Sequence, residues 1–343
     1  MANKHTGIAA GRLAWFSGSR TAWRLLVLAV FAVLAVMGIV FSLAKGALYI
    51  APEQVWQIML NSTSDAKGQV IWNIRLPRTL VGALVGMNLA LAGAILQAVM
   101  RNPLADPHII GISSGAGLAG VAVMILFPSM EYLITPIAFV GAMLAAVIIY
   151  VLAWKGGIRP VRIILAGVAV SAFLGSGISA LMIFYSDRVH GALMWMVGGL
   201  SARSWPHMEI ILPYTLIGGL LAFLGATRLN VLQLGDDMAR GLGLNVERTR
   251  IVMTAIAALL AASAVSVAGL LGFVGLVVPH AARLLIGSDY RYLLPASALL
   301  GIAVVTVSDM LARTVLAPVE LPVGIIMAFV GAPFFLYLLR REI

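Results

Sequence analysis

Ile251-Val-Met-Thr-Ala-Ile-Ala-Ala-Leu-Leu-Ala-Ala-Ser-Ala-Val-Ser-Val-Ala-Gly-Leu-Leu-Gly-Phe-Val-Gly-Leu-Val-Val-Pro-His-Ala-Ala282 runs for 32 residues without an Asp, Glu, Lys or Arg. As one helix it would be about 48 Å long, against a hydrocarbon core of about 30 Å. Gly269-Leu-Leu-Gly272 sits near its middle, so the stretch reads as two short helices joined by a tight turn. Eight further uncharged runs each fit one crossing: Leu25–Ala44, Thr79–Met100, Ile109–Met130, Tyr132–Trp154, Ile163–Ser186, Ile210–Thr227, Tyr292–Ser308 and Leu321–Leu339. The expectation is an all-α polytopic membrane protein with ten spans. Barrel strands alternate over about 10 residues, and these runs are continuously apolar for far longer. Lipid-facing backbone must bond internally, which leaves helices.

Composition agrees. Of 343 residues, 62% are hydrophobic and 10% charged, and mean hydropathy is +1.03. Soluble domains carry about 25% charged residues, so a water-soluble enzyme is excluded. The chain has no Cys, which removes disulfides, thiolate metal sites and a cysteine nucleophile. Its 23 Lys and Arg against 13 Asp and Glu leave a net charge of +10. In a soluble protein that excess would point to nucleic acid; here it sorts by side of the membrane, and no nucleic-acid partner is expected. Ten spans put both termini on one side. That side holds 16 basic residues, among them Lys4, Arg12, Arg20 and Arg24 of a leader at 1–24; the other holds 7. The positive-inside rule puts both termini in the cytoplasm. Ser42-Leu-Ala44 resembles a cleavage site, but the apolar run before it has 20 residues, beyond the usual 7–15 of a signal sequence.

No soluble domain fits, and the whole of 1–343 reads as one transmembrane domain. The longest polar segments are Lys45–Arg78 and Asp187–Glu209 outside and Arg228–Arg250 inside. The outer two are expected to hold short interfacial helices. Ala192–Leu200 is apolar but too short to span, so it should dip into the outer leaflet, with Trp195 and Trp205 at the interface. A five-plus-five division near Arg203 would allow an inverted repeat, signalled in the residues by two short Gly-rich spans followed by Pro107-His108 and Pro279-His280.

Several chemistries are missing. The four Lys residues precede His5, Gly46, Gly68 and Gly156, so there is no phosphate loop. H-E-x-x-H and G-x-S-x-G are absent, and His5, His108, His190, His207 and His280 have no metal-ligand spacing. No cofactor, resident metal or catalytic residue is expected. Span interiors hold almost none of the Asp, Glu or His that ion-coupled pumps use. Asp309, at the outer end of the ninth span, stands four residues before Arg313 and should form a local ion pair. Such a chain has no energy source of its own, so uphill movement of a solute needs another subunit.

Two segments carry the remaining signal. In the second span, Gly86, Ala90, Gly93 and Gln97 fall on one face, and Gly82-x-x-x-Gly86 permits close helix approach; this helix should be central. Asn88 lies on its opposite face, where it either touches a solute or bonds a neighbouring backbone; Asn88 and Gln97 are the candidates for a translocation path. The cytoplasmic Leu232-Gln-Leu-Gly-Asp-Asp-Met-Ala-Arg-Gly-Leu-Gly-Leu-Asn-Val246 is too polar to insert and too apolar for a linker. Leu234, Met238 and Leu242 recur every four residues. Asp236 and Asp237 suit a helix N-terminus, and Gly241 and Gly243 should end the helix. Membrane-surface helices are usually basic; two Asp and one Arg favour a protein partner.

Together, Ile74-Arg-Leu-Pro-Arg-Thr79, Gln97-Ala-Val-Met-Arg-Asn-Pro-Leu-Ala-Asp-Pro107, Gly111-Ile-Ser-Ser-Gly-Ala-Gly117, Gly272-Phe-Val-Gly-Leu-Val-Val-Pro-His280, Glu320-Leu-Pro-Val-Gly324 and Gly331-Ala-Pro-Phe334 resemble the iron-siderophore/cobalamin (FecCD/BtuC-type) permeases of bacterial ABC importers. The resemblance implies a ten-helix type II importer permease in the bacterial inner membrane, not itself an enzyme. Its implied partners are a second permease subunit (the same or a related chain), two ATPase subunits, an extracytoplasmic binding protein and membrane lipid. It assigns the segment 228–250, with Leu234, Gly235, Asp236, Asp237, Met238, Ala239, Arg240, Leu242 and Gly243, to ATPase coupling. It assigns Arg75, Arg78 and Arg313 to docking of acidic residues on the binding protein. Arg101-Asn-Pro-Leu-Ala-Asp-Pro107 and Ala332-Pro-Phe-Phe-Leu-Tyr-Leu-Leu-Arg-Arg341 look more like ferric-siderophore permeases than cobalamin ones; haem importers share the fold class.

Overall fold

The computed structural model describes residues 5–46, 50–61, 65–108, 111–155 and 160–342. No strand occurs among them. The order is α1 (His5–Ala44), α2 (Pro52–Asn61), α3 (Ala66–Val70), a π-helical turn (Ile71–Arg75), α4 (Leu76–Met100), α5 (Ile112–Leu126), α6 (Ile134–Ala153), α7 (Pro160–Phe184), α8 (Val189–Val197), α9 (Trp205–Leu224), α10 (Ala226–Gln233), α11 (Asp236–Gly241), α12 (Val246–Ala268), α13 (Val274–Ile286), α14 (Tyr290–Thr314) and α15 (Val323–Glu342). The first four residues of the expected leader lie outside the described residues; the rest belongs to α1.

Seven helical stretches are long and apolar enough to cross a membrane, so the chain is a multi-pass membrane protein. Three shorter apolar helices, Ile112–Leu126, Val274–Ile286 and Val323–Tyr337, occupy the remaining predicted spans. At 15 residues α5 is about 22 Å long, and α13, with 13, is shorter still. Both follow non-helical chain: residues 101–108 before α5, and 269–273 before α13. The break in the 32-residue run falls where expected. There Gly269 takes φ +75° and Phe273 φ +67°. The first half is not short, however. It starts at Val246 inside the polar segment, where the Asn245 side chain accepts the Arg248 amide at 2.9 Å and caps α12.

Helix α4 is the axis of the subunit. It packs on α9, α12, α13 and α14, and nearly every residue from Leu76 to Met100 is buried. Small residues make this possible. A Cβ on Gly86 would strike the Gly301 carbonyl, and one on Gly93 the Gly275 carbonyl. Among equally apolar lipids, such close packing is what holds membrane helices together. Burial along nearly its whole length makes α4 the central helix expected for the second span.

The short outer helices are present as expected. Trp195 of α8 is buried against Gly120, and Trp205 donates its indole N–H to the Trp72 carbonyl at 3.0 Å. The end of α8, the break and the start of α15 are stitched by backbone bonds. Gly199 N donates to the Ala268 carbonyl at 2.8 Å, and Gly324 N to the Gly198 carbonyl at 3.0 Å.

Candidate functional site

The 228–250 segment, expected in the cytoplasm, folds as two short helices beside the C-terminal end of α4 and the N-terminal ends of α12 and α14. Leu229 and Leu232 anchor α10 in the core. Gly235 then turns the chain at φ +104°, a conformation open to glycine. That turn ends α10, and α11 then starts at Asp236 and ends at Gly241, where the two Asp and the glycines lead one to expect. Helix α11 has only six residues, with Leu234 before it and Leu242 after it. Ala239 is fully buried beneath it, whereas Leu234, Met238 and Leu242 are exposed. Asp237 is exposed and faces Arg240 at 3.9 Å. Gly243 takes φ +80°, but Gly241 has an ordinary φ and open space around it, so nothing in the structure requires glycine there.

Asp236 is inward-turned. It accepts from both terminal nitrogens of Arg250, at 2.9 and 2.7 Å, and lies 3.6 Å from Arg101. Partial burial pulls its carboxyl upward, but the Arg250 bond and the flanking arginine charges outweigh this and hold it below the usual range. The neighbouring bonds continue the pattern. Asn230 joins Asp289 and the Tyr290 amide, each at 2.8 Å; Gln233 donates to the Tyr290 hydroxyl at 3.1 Å; Arg283 donates to Gln97 at 2.8 Å. A polar mesh thus fastens the segment to α4, α12, α13 and α14. Arg101, Arg250, Asn230, Arg283 and Tyr290 were not singled out from sequence. Their signal was only that polar groups stood at predicted helix ends.

The outer arginines are buried, not displayed. Arg78 grips Asp309 with Nε and a terminal nitrogen (2.9–3.2 Å) and Glu320 at 2.8 Å. Arg313 makes the expected i,i+4 pair with Asp309 at 3.1 Å, and donates to the Ser42 carbonyl and hydroxyl at 3.0 and 2.8 Å. Arg75 donates to the Leu43 and Ala44 carbonyls at 2.7 and 3.1 Å. The three therefore tie α1, α4 and α14 together. Glu320, on the loop before α15, is the part of the cluster that reaches the surface. Its own partial burial raises its carboxyl, and Arg78 more than reverses this.

Asn88 is fully buried, donating to Thr215 at 2.8 Å and Ser263 at 3.0 Å. Its amide NH2 thus bonds side chains of α9 and α12, while its Oδ1 is buried without a hydrogen-bond partner. Gln97 donates weakly to the Gly275 and Leu276 carbonyls, both at 3.3 Å, and lines a cavity of about 260 Å³ with Arg101 and Arg283. A larger cavity of about 810 Å³ lies between α8, the break and α15, walled by Val197, Leu270, Phe273, Phe329 and Phe335, with Asp106 and His108 at its edge. Among the described residues, no group of three or more His, Cys, Asp or Glu is placed to hold a metal ion.

Residues 23–341 match the model of the FecCD transport family. The chain is 41% identical over 319 residues to the Fe(3+)-citrate import system permease protein YfmE of Bacillus subtilis, covering 93% of this chain and 96% of that protein. It is 45% identical over 277 residues to the cobalamin import system permease protein BtuC of Halobacterium salinarum, covering 80% and 74%. A solved metal-chelate type ABC transporter in an inward-facing conformation superposes with a TM-score of 0.81 at 28% identity, covering 92% of this chain and 99% of the other.

Proposed function

The chain belongs to the FecCD transport family, and from that membership we propose that it is the permease subunit of an ATP-driven importer that carries a ferric siderophore delivered by a binding protein. The observation that supports this most directly is the cytoplasmic segment: three exposed apolar side chains held on a mesh of buried ion pairs and hydrogen bonds. A surface of that kind fits a groove on a partner. We assign it to two ATPase subunits, which hydrolyse the ATP; the permease has no nucleotide site of its own. Met238, Leu242 and Asp237 make the contact, while Asp236 and Ala239 shape the segment from within.

Ten crossings, with α5, α13 and α15 as the short ones, a five-plus-five inverted repeat and cytoplasmic termini complete the proposed topology in the bacterial inner membrane. Helix α7 exposes Leu165, Val168, Phe173 and Ile183, a face suited to lipid or to a second permease subunit. The path then runs along α8 and α15 beside the 810 Å³ cavity, whose walls are mostly apolar, and reaches Gln97 at its inner end. On the outer face the Arg78–Glu320 pair marks where the binding protein docks, with Arg75 and Arg313 supporting the surface from beneath.

Reconstitution tests the reading. Proteoliposomes holding the permease with its ATPases should accumulate a ferric siderophore only with ATP and loaded binding protein, with cobalamin and haem as weaker competitors. Accumulation by the permease alone would make it a secondary transporter.

A further inference from the structure

Arg203, which is only partly buried, stands apart from the buried arginines of the outer face. It lies between α8 and α9, and among the described residues no carboxylate comes within ion-pair distance of it. One terminal nitrogen faces His207 Nε2 at 3.3 Å, and Nε is buried with no hydrogen-bond partner. Glu320 lines the same cavity but is bonded to Arg78 at 2.8 Å and to Ser201 at 3.3 Å. Asp309 and Glu320 are thus both taken by Arg78 and Arg313. Partial burial and the nearby charge of Arg78 push the Arg203 guanidinium down to about 10, so it still carries its charge at neutral pH. Its Nε, shut from solvent without an acceptor, is a costly unmade bond. A partly buried cation of this kind beside open space is arranged for an anion to enter.

The space is a cavity of about 300 Å³ walled by Met124, Met194, Trp195 and Pro322, with Gly199 and Ser201 at its polar end. Its volume suits the arm of a small molecule. Its methionines can adapt to an irregular apolar body, and the guanidinium fork matches a carboxylate.

Resting on the importer reading, we propose that this cavity is an anion subsite in which Arg203 receives a carboxylate of the incoming ferric chelate, so that the importer favours polycarboxylate chelates over hydroxamate ones.

The test uses the permease with its ATPases and binding protein in proteoliposomes, with ferric citrate and ferrioxamine B as probes. Wild type should import ferric citrate at least tenfold better. Arg203→Gln should lower ferric citrate uptake at least tenfold, leave ferrioxamine B uptake and basal ATP hydrolysis unchanged, and be partly rescued by Arg203→Lys. A second readout does not need transport. Met194→Cys puts the chain's one thiol in the cavity wall, and ferric citrate should protect it from a thiol reagent when Arg203 is present and not in the Arg203→Gln background. Protection without ATP-driven import would uphold the subsite and sink the importer reading. Equal uptake of both chelates by wild type, or unchanged citrate handling in Arg203→Gln, would overturn the proposal. So would slower docking of the empty binding protein in that variant, because the carboxylate would then belong to the protein.

Discussion

Leu242→Asp is the sharpest test of the proposed ATPase contact. Leu234, Met238 and Leu242 are 57%, 63% and 62% exposed, although Ala239, one residue after Met238, is fully buried. The exposed part of Leu242 amounts to roughly 100 Å², and burying it in a partner groove at about 25 cal/mol per Å² contributes about 2.5 kcal/mol. Losing that burial should weaken association by about 70-fold, and an unpaired carboxylate forced into the groove weakens it further. Leu242→Ala should fall between. The permease itself should be untouched, because exposed substitutions away from special features change stability by about 0.5 kcal/mol or less. The assay is titration of ATPase subunits onto permease in nanodiscs, with thermal unfolding of the permease alone as control. Binding of Leu242→Asp within about threefold of wild type would show that the exposed stripe faces water or lipid headgroups in the assembled importer.

Two substitutions probe what holds the subunit together. Gly93→Leu drives a side chain into the Gly275 carbonyl, and overpacking of this kind costs about 1–3 kcal/mol or more; thermal unfolding should shift down markedly, and an unshifted transition would mean that α4 and α13 are not in close contact. Asp309→Asn removes the carboxylate shared by Arg78 and Arg313, each buried. Breaking such a pair costs about 3–5 kcal/mol, so the variant should unfold at lower temperature or in milder detergent. Wild-type stability would instead show that these arginines are hydrated and free to meet a docking partner.

The helical class, the broken 32-residue run and the central second span were legible because each rests on local rules: the length of an apolar run, the spacing of small residues, and glycine where the chain must turn. Gly86 and Gly93 announce close packing whatever the partner. The identity of that partner, Gly301 and Gly275, is a matter of tertiary arrangement. The outer arginines show the limit more clearly. Arg313 and Asp309 are neighbours on one helix turn, and their pairing follows from spacing. Arg78 reaches the same Asp309 across 231 positions of sequence, and nothing local marks it. That is why three arginines expected at a docking rim prove to be buried in the subunit. The helix of the 232–246 segment was legible for the same local reason: it starts at Asp236 and ends at Gly241, between the two Asp and the glycines that mark its ends, with Gly235 turning the chain before it at a positive φ.

The distribution of charge bears on how work enters the molecule. The ionisable groups of the central helices gather at their ends: Arg78, Asp309 and Arg313 at one, and Arg101, Arg250 and Arg283 at the other. Between them the helices are joined by neutral bonds, Asn88 to Thr215 and Ser263, and by glycine contacts. A chain of titrating groups across the bilayer is what proton- or ion-coupled transport uses, and the packed middle of α4, α9 and α12 supplies neutral amide and hydroxyl groups in its place. On the importer reading proposed above, force arrives from outside the subunit. There α11, fastened to Arg250 of α12 and facing Arg101 beyond α4, would carry a push on the exposed stripe through charged contacts into two of the most deeply buried helices. Helix α8, the 269–273 break and α15 meet through backbone bonds at Gly198, Gly199 and Gly324, and glycine lets them approach as closely there as α4 approaches α13 and α14. A centre joined by neutral bonds and close glycine contacts, with its charges gathered at the helix ends, fits the proposed importer powered by partner subunits.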